Sequence, residues 1–258
     1  MKKLALLISS FILFSSSVMA KDMRFAQVTD VRYSANSDNA ALLKVIEDIN
    51  KQNEIEFVVF TGDNINHPNK DDLKAFLKEL KNLNCPYYIV LGDRDVNKRK
   101  ELSKNEYAQF VHKYGKQKQK TPNYTFEKNK VVFMIADGSK DVIPSTIGYY
   151  KDDVLEWVDA NLDLNKNKPV IILQHFPLIP PAEKENYYTY HPETYLETLN
   201  KHRNVLAVIS GHFGVNREVN QNGITHISTA PVPYYRIIDV LNIDSSQPSI
   251  WAQVKRAE

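Results

Sequence analysis

The sequence predicts an α/β domain: a mixed sheet, or two packed sheets, with helices outside. Three observations predict it. Apolar strands alternate with helical faces from Arg24 onward, the early strands have uninterrupted apolar runs, and the C-terminal part reads as hairpins. Runs such as Val58-Val59-Phe60 suit a sheet buried on both faces, whereas hairpins announce themselves by tight turn signals. With 43% hydrophobic and 25% charged residues among 258, the chain has a globular balance, not that of a disordered, collagen-like or multi-pass membrane protein. A chain this long buries a large core without disulfide staples. Cys85 is the only cysteine, so no intramolecular disulfide forms and no thiolate cluster can hold a metal.

Each element has its own signal. Arg24 to Asp30 reads as a strand, and Leu42, Val45, Ile46 and Ile49 fall on one helical face. Phe57 to Asp63 is the second strand, followed by a helix carrying Leu73, Phe76, Leu77 and Leu80. Tyr87 to Asp93 is the third. Ser103 and Glu106 have capping-box spacing and open a helix with Tyr107, Phe110, Val111 and Tyr114 inside. Tyr124 to Glu127 and Val131 to Asp137 flank a Lys-Asn-Lys turn and form a hairpin. A helix near Asp153 to Leu162 precedes the strand Val170 to Gln174. Pro192 starts a helix with Tyr195, Leu196 and Leu199, and Val205 to Ser210 is a strand. Two hairpins end the chain, the first turning at Asn222-Gly223. Lys113 to Lys120 reads as a solvated connection, and Pro177 to Pro181 as the start of a surface loop holding Tyr187, Tyr188 and Tyr190.

Residues 1–20 stand apart. Lys2 and Lys3 precede the apolar stretch Leu4 to Phe14, and Val18-Met19-Ala20 offers a peptidase small residues at the right positions. The expectation is a signal peptide cleaved after Ala20, with export to the periplasm or beyond and no membrane anchor afterwards, the apolar run being shorter than a span. The 33 Lys and Arg against 31 Asp and Glu become equal once Lys2 and Lys3 are removed. A neutral mature chain has no electrostatic footprint for nucleic acid.

Chemistry gathers where strands stop. Asp30, Asp63 and Asp93 close apolar strands, and His175 and His212 follow two more. Ligands of open α/β sheets bind at the carboxyl ends of parallel strands, so these five residues are candidate metal ligands of one site. Singly, each is an ordinary cap or turn residue.

Five ordered blocks carry a resemblance: Thr29-Asp30-Val31-Arg32-Tyr33, Thr61-Gly62-Asp63-Asn64, Leu91-Gly92-Asp93-Arg94-Asp95, Gln174-His175-Phe176-Pro177 and Ser210-Gly211-His212-Phe213-Gly214. The chain thereby resembles the calcineurin-like metallophosphoesterases, whose blocks read D-x-H, G-D, G-N-H-[DE], H and G-H-x-H. The resemblance implies a four-layer αββα sandwich of two mixed β-sheets flanked by helices, as one phosphoesterase domain over residues 21–258.

It also implies a centre with altered ligands. The family's first metal is held by the Asp and His of the first block, the Asp of the second and the last His of the fifth. Asp30 and Asp63 remain here, but Arg32 and Gly214 replace the histidines. Arginine has no acceptor lone pair and glycine no side chain, so the first site is expected to be weak or absent. The second site keeps Asp63, Asp93 in place of Asn, His175 and His212. Two imidazoles and two carboxylates suit one zinc, iron or manganese ion. Arg94 stands where the family has a His that protonates the leaving group. Arginine can clamp a phosphate but cannot serve as a proton donor near neutral pH. Arg32 has two readings: paired with Asp30 and Asp63 in place of the first metal, or turned to solvent beside a decayed site.

The expected function is an exported phosphoesterase with Arg32 and Arg94 as catalytic and substrate-binding cations and Asn64 as an orienting or substrate-binding neighbour. The alternative is a protein that binds a small phosphorylated or anionic ligand without turnover. The smaller signals read as structure: His226 as strand packing, and Tyr187, Tyr188 and Tyr190 as loop packing more readily than a pocket wall.

Overall fold

The computed structural model describes residues 22–115 and 117–258; the expected signal peptide lies outside them. The first sheet has the order β11-β10-β1-β2-β3, and its strands are β1 (Met23–Val28), β2 (Ile55–Thr61), β3 (Tyr87–Val90), β10 (Tyr234–Leu241) and β11 (Ser249–Arg256). β1, β2 and β3 run parallel, while β10 and β11 join antiparallel. The second sheet has the order β4-β5-β6-β7-β9-β8, built from β4 (Tyr124–Lys128), β5 (Val131–Ile135), β6 (Val170–Leu173), β7 (Val205–Ser210), β8 (Arg217–Gln221) and β9 (Ile224–Ser228). β5, β6, β7 and β9 are parallel, with β4 and β8 antiparallel at the two edges. Both sheets are therefore mixed.

Side-chain alternation along the strands builds four layers. Phe25, Phe57 and Val59 face the second sheet and meet Phe133, Ile171, Leu173 and Ile209. Phe57 stacks on Phe25 at 4.8 Å between ring centroids and meets Phe133 edge-on at 5.1 Å. Val58 and Phe60 point the other way, under α1 (Ala40–Lys51), α2 (Lys70–Glu79) and α3 (Lys104–Tyr114). Leu42, Val45, Ile46 and Ile49 are the buried stripe of α1, as the spacing predicts. On the outer face of the second sheet, α4 (Asp152–Leu164) and α5 (Pro192–Asn200) bury Val158, Leu162, Tyr195 and Leu199 against Met134, Ile172 and Val208. The expected αββα sandwich is present.

Local signals hold in detail. Ser103 accepts from the Glu106 backbone while Glu106 caps the Ser103 N–H, so the capping box forms. Asn222 and Gly223 both take positive φ, 54° and 83°, as a tight β8–β9 hairpin requires. The second hairpin, β10–β11, returns to the first sheet. Two loop expectations need correction. Lys113 lies inside α3, and Gln117 is buried, donating to Tyr87 O at 3.1 Å and accepting from Tyr124 at 3.2 Å. The loop after β6 likewise begins in the core, with Phe176 and Leu178 buried, and surfaces only later. Both segments bury residues whose partners are distant in sequence.

Candidate metal centre

Each strand's ladder ends before its site residue. β1, β2 and β3 stop at Val28, Thr61 and Val90, and β6 and β7 at Leu173 and Ser210. Asp30, Asp63, Asp93, His175 and His212 sit two or three residues further on, in turns. Asp30, Arg32, Asp63 and His212 adopt left-handed backbone, with φ of 50°, 51°, 52° and 72°. Such strain persists only where the surroundings over-determine it. Here the first two turns are zipped together: Asp30 N donates to Gly62 O at 3.0 Å, Arg32 N to Asp63 O at 2.8 Å and Tyr33 N to Asn64 O at 2.9 Å. A Cβ at Gly211 would lie 1.9 Å from Thr29 Oγ1, so only glycine lets the β7 turn close on the β1 turn.

The imidazoles are aimed from behind. His175 Nδ1 lies 2.8 Å from Thr61 O, and His212 Nε2 lies 2.8 Å from Thr146 O. A carbonyl only accepts, so each outer nitrogen carries the proton, and a neutral ring keeps its lone pair on the inner nitrogen. Those inner atoms converge. His212 Nδ1 lies 3.1 Å from His175 Nε2, and Asp93 Oδ1 lies 3.2 Å from the first and 3.3 Å from the second. Asp63 Oδ1 approaches His175 Nε2 at 3.4 Å. Asp93 Oδ1 is buried and makes no hydrogen bond of acceptable geometry. An orphaned carboxylate oxygen facing two imidazole lone pairs is the donor set of a divalent cation, and these residues fit one.

Arginines occupy the other half. Arg32 turns inward: an Nη nitrogen lies 3.0 Å from Asp30 Oδ1, and Nε 3.6 Å from Asp63 Oδ2. Arg94 Nε lies 3.3 Å from the same Asp63 oxygen, and its backbone N–H donates to Asp63 Oδ1 at 3.0 Å. Each guanidinium keeps over a third of its side chain open to solvent. Gly214 adds no ligand; its φ is 77°, and a Cβ there would meet nothing nearer than Pro231 Cδ at 3.9 Å.

Charge is concentrated and desolvated. Burial pushes the Asp63 carboxyl up to about 8, against the pull of His175 and with help from Asp93, Asp30 and Asp95. Burial opposes a charged His175, yet Asp63, Asp93 and Asp30 raise it to about 10. Burial also disfavours the Asp93 charge, but the two imidazoles outweigh it and hold the carboxyl well below its usual range. His212 is held down by burial, and the neighbouring His175 charge adds to the effect. The pocket demands positive charge, from a proton or from a metal.

Asn64 is corrected as a substrate contact. It is fully buried, and its amide donates to Val90 O at 2.8 Å and Asp95 Oδ2 at 2.9 Å, so it orients the turn instead. Asp95 carries more of the site than its motif position suggested. It also accepts from the backbone N–H of Asn64, Ile65 and Gly92 at 2.8, 3.0 and 2.8 Å, tying the second turn to the third. Tyr187 is more than loop packing: its ring lies 4.9 Å from that of His212, while Tyr188 and Tyr190 are exposed. His226 is buried in β9, as expected of a packing residue.

A family model for calcineurin-like phosphoesterases matches residues 23–216, and the chain belongs to that family. A relative from Xenorhabdus bovienii, named a "probable cyclic nucleotide phosphodiesterase", is 24% identical over 219 residues, 79% of this chain and 83% of its own. Another from Arcobacter nitrofigilis, named a "probable glycerophosphodiester phosphodiesterase", is 23% identical over 207 residues, 76% of this chain and 70% of its own. The crystal structure of a dimetal phosphatase from Danio rerio superposes with a TM-score of 0.61, covering 92% of this chain and 99% of that one at 18% identity. At that identity the likeness shows the fold alone. The family is metal-dependent, and the described residues contain two groups able to hold an ion: Asp93, His175 and His212, and Asp30, Asp63 and His175.

Proposed function

We propose that the chain is an exported phosphodiesterase with a reduced centre: one divalent cation between Asp63, Asp93, His175 and His212, and arginines where a second would lie. One observation carries this reading. His175 Nε2, His212 Nδ1 and Asp93 Oδ1 converge within 3.1 to 3.3 Å, while the outer imidazole nitrogens are committed to carbonyls. A zinc, iron or manganese ion held there supplies Lewis-acid charge and an activated water near neutral pH. Arg32 neutralises Asp30 and Asp63, and the exposed edges of Arg32 and Arg94 bind the non-bridging oxygens of a phosphodiester. They stabilise the charge that develops there in the transition state. Neither protonates the leaving oxygen, so the preferred substrates are small diesters whose leaving groups need no proton. Residues 1–20 support export, and the neutral balance of the remainder argues for a small anionic ligand over nucleic acid.

A second reading, ligand binding without turnover, is favoured by the Arg32–Asp30 pair at 3.0 Å, which answers part of the site's charge without metal. Hydrolysis of bis(p-nitrophenyl) phosphate with added zinc, manganese or iron separates the two. Turnover abolished by His175→Ala supports the enzyme. Phosphate-dependent thermal stabilisation with no turnover supports the binding protein.

A further inference from the structure

We propose that Gln27 is a positioning residue of this centre, setting from between the two sheets where His175 and His212 aim their inner nitrogens. Gln27 lies on β1, fully buried, on the same strand face as Phe25. A polar amide in that core must satisfy itself, and it does so on the strand ends that lead into the His175 support and into His212. Its Nε2 donates to Thr61 Oγ1 and to Ser210 O, each at 2.9 Å. Thr61 is the residue whose carbonyl accepts from His175 Nδ1. Ser210 ends β7, and two residues later the His212 N–H donates to Asp30 Oδ2 at 2.9 Å. One amide thus clamps the end of β2 in the first sheet to the end of β7 in the second.

The amide's orientation is set by chemistry further back. Arg236, on β10 opposite Gln27, is almost wholly buried and pairs with Glu218 of β8. Its Nε donates to Thr229 Oγ1 at 3.1 Å. A guanidinium has donors only, so the Thr229 hydroxyl accepts there and gives its own proton to Gln27 Oε1, at 2.6 Å. With its oxygen so engaged, Gln27 must turn its NH₂ toward Thr61 and Ser210. Glu218, Arg236, Thr229 and Gln27 form one directed chain that ends behind the imidazoles. Partners that orient ligating histidines usually act through one hydrogen bond each. Here one residue reaches the residue that supports His175 and the strand end that carries His212.

This inference rests on the metal-centre reading, but its test does not need turnover. Compare the full chain with Gln27→Met, Thr229→Val and Thr229→Ser, using Val240→Ala as an equally buried control in the same inter-sheet core. In metal-free protein, follow the His175 Nδ1–H and His212 Nε2–H resonances by NMR. Gln27→Met and Thr229→Val should shift both and speed their exchange with solvent roughly tenfold, the effect of one lost buried hydrogen bond. Thr229→Ser, which keeps the hydroxyl, should restore wild-type behaviour. Mn²⁺ affinity, measured by equilibrium dialysis, should fall about 10- to 100-fold in the first two and stay unchanged in the control. If Gln27→Met does not fold, the Thr229 pair decides alone. Resonances no more disturbed than in Val240→Ala would overturn the proposal. Wild-type protein that binds no Mn²⁺ would refute the metal-centre reading, and the exchange data would still decide the role of Gln27.

Discussion

His212 Nδ1 and His175 Nε2 face each other at 3.1 Å with no side chain between them. Two lone pairs at that distance repel, so the pair is stable only with a proton or a cation at their meeting point. Asp93 Oδ1, beside both, makes the same demand. Arg32 and Arg94 answer it only on the far side of Asp63. On the proposed reading, the centre divides into a half that holds metal and a half neutralised by the guanidinium groups.

Arg32→His together with Gly214→His should create a second ion site beside Asp30 and Asp63. There is room at position 214, but φ of 77° makes any side chain strained. The double variant should lose about 1–3 kcal/mol of stability, measured by urea unfolding, and gain a second bound ion, counted by elemental analysis. A variant that folds yet binds no more metal than the parent would mean the geometry has drifted along with the side chains.

Arg94→His should leave metal binding in place, because the Asp63 contact through the backbone N–H of residue 94 remains. Its effect should appear in the leaving group. Hydrolysis of alkyl diesters should rise about 10²- to 10⁴-fold, the usual worth of a general acid, while nitrophenyl esters change little. An equal change in both classes would argue against a missing proton donor.

Asp95→Ala should be among the most destabilising changes near the site. It orphans the backbone N–H groups of Asn64, Ile65 and Gly92, all held by that carboxylate. The loss should be at least about 3 kcal/mol. Asp95→Asn, which retains one accepting oxygen, should fall between. Denaturant titration of the three proteins checks the order.

His226 gives a pH signature away from the site. Burial holds it neutral, with its pKa pushed down to about 4. In the unfolded chain the imidazole takes up a proton near its ordinary value of about 6.5. Between those values the unfolded state binds more protons, so this group's contribution to stability falls as pH drops from about 6.5 to about 4 and is level outside that window. The change is at most about 3 kcal/mol. Unfolding of wild type and His226→Gln at several pH values should show their difference moving across that window and constant above it. A difference independent of pH would show that His226 is not held neutral by burial.

Much of the fold was legible because its signals are local. Val58-Val59-Phe60 marks a strand buried on both faces, Ser103 and Glu106 form the capping box, and Asn222-Gly223 turns the hairpin. The candidate ligands were legible because each follows a strand. What supports them was not, because it depends on contacts between distant segments. The Thr146 carbonyl behind His212 is a backbone atom, and no residue type announces it. Tyr187 reaches His212 through a loop whose course the sequence leaves open. Asp95 looked like a motif position, and its four hydrogen bonds emerge only when the second and third turns meet. One clue was available: Gln27 is a polar residue with Ala26 and Val28 on either side, and such a residue in a buried strand needs partners.

The most direct test of the centre is the count of metal per chain. Purified protein is equilibrated in turn with zinc, manganese and iron, freed of loosely held ions, and analysed alongside His212→Ala. About one tight ion per chain is expected, and it should be lost in the variant. Two tight ions would contradict the reading of Arg32 and Gly214. A folded protein that retains none would contradict the centre itself.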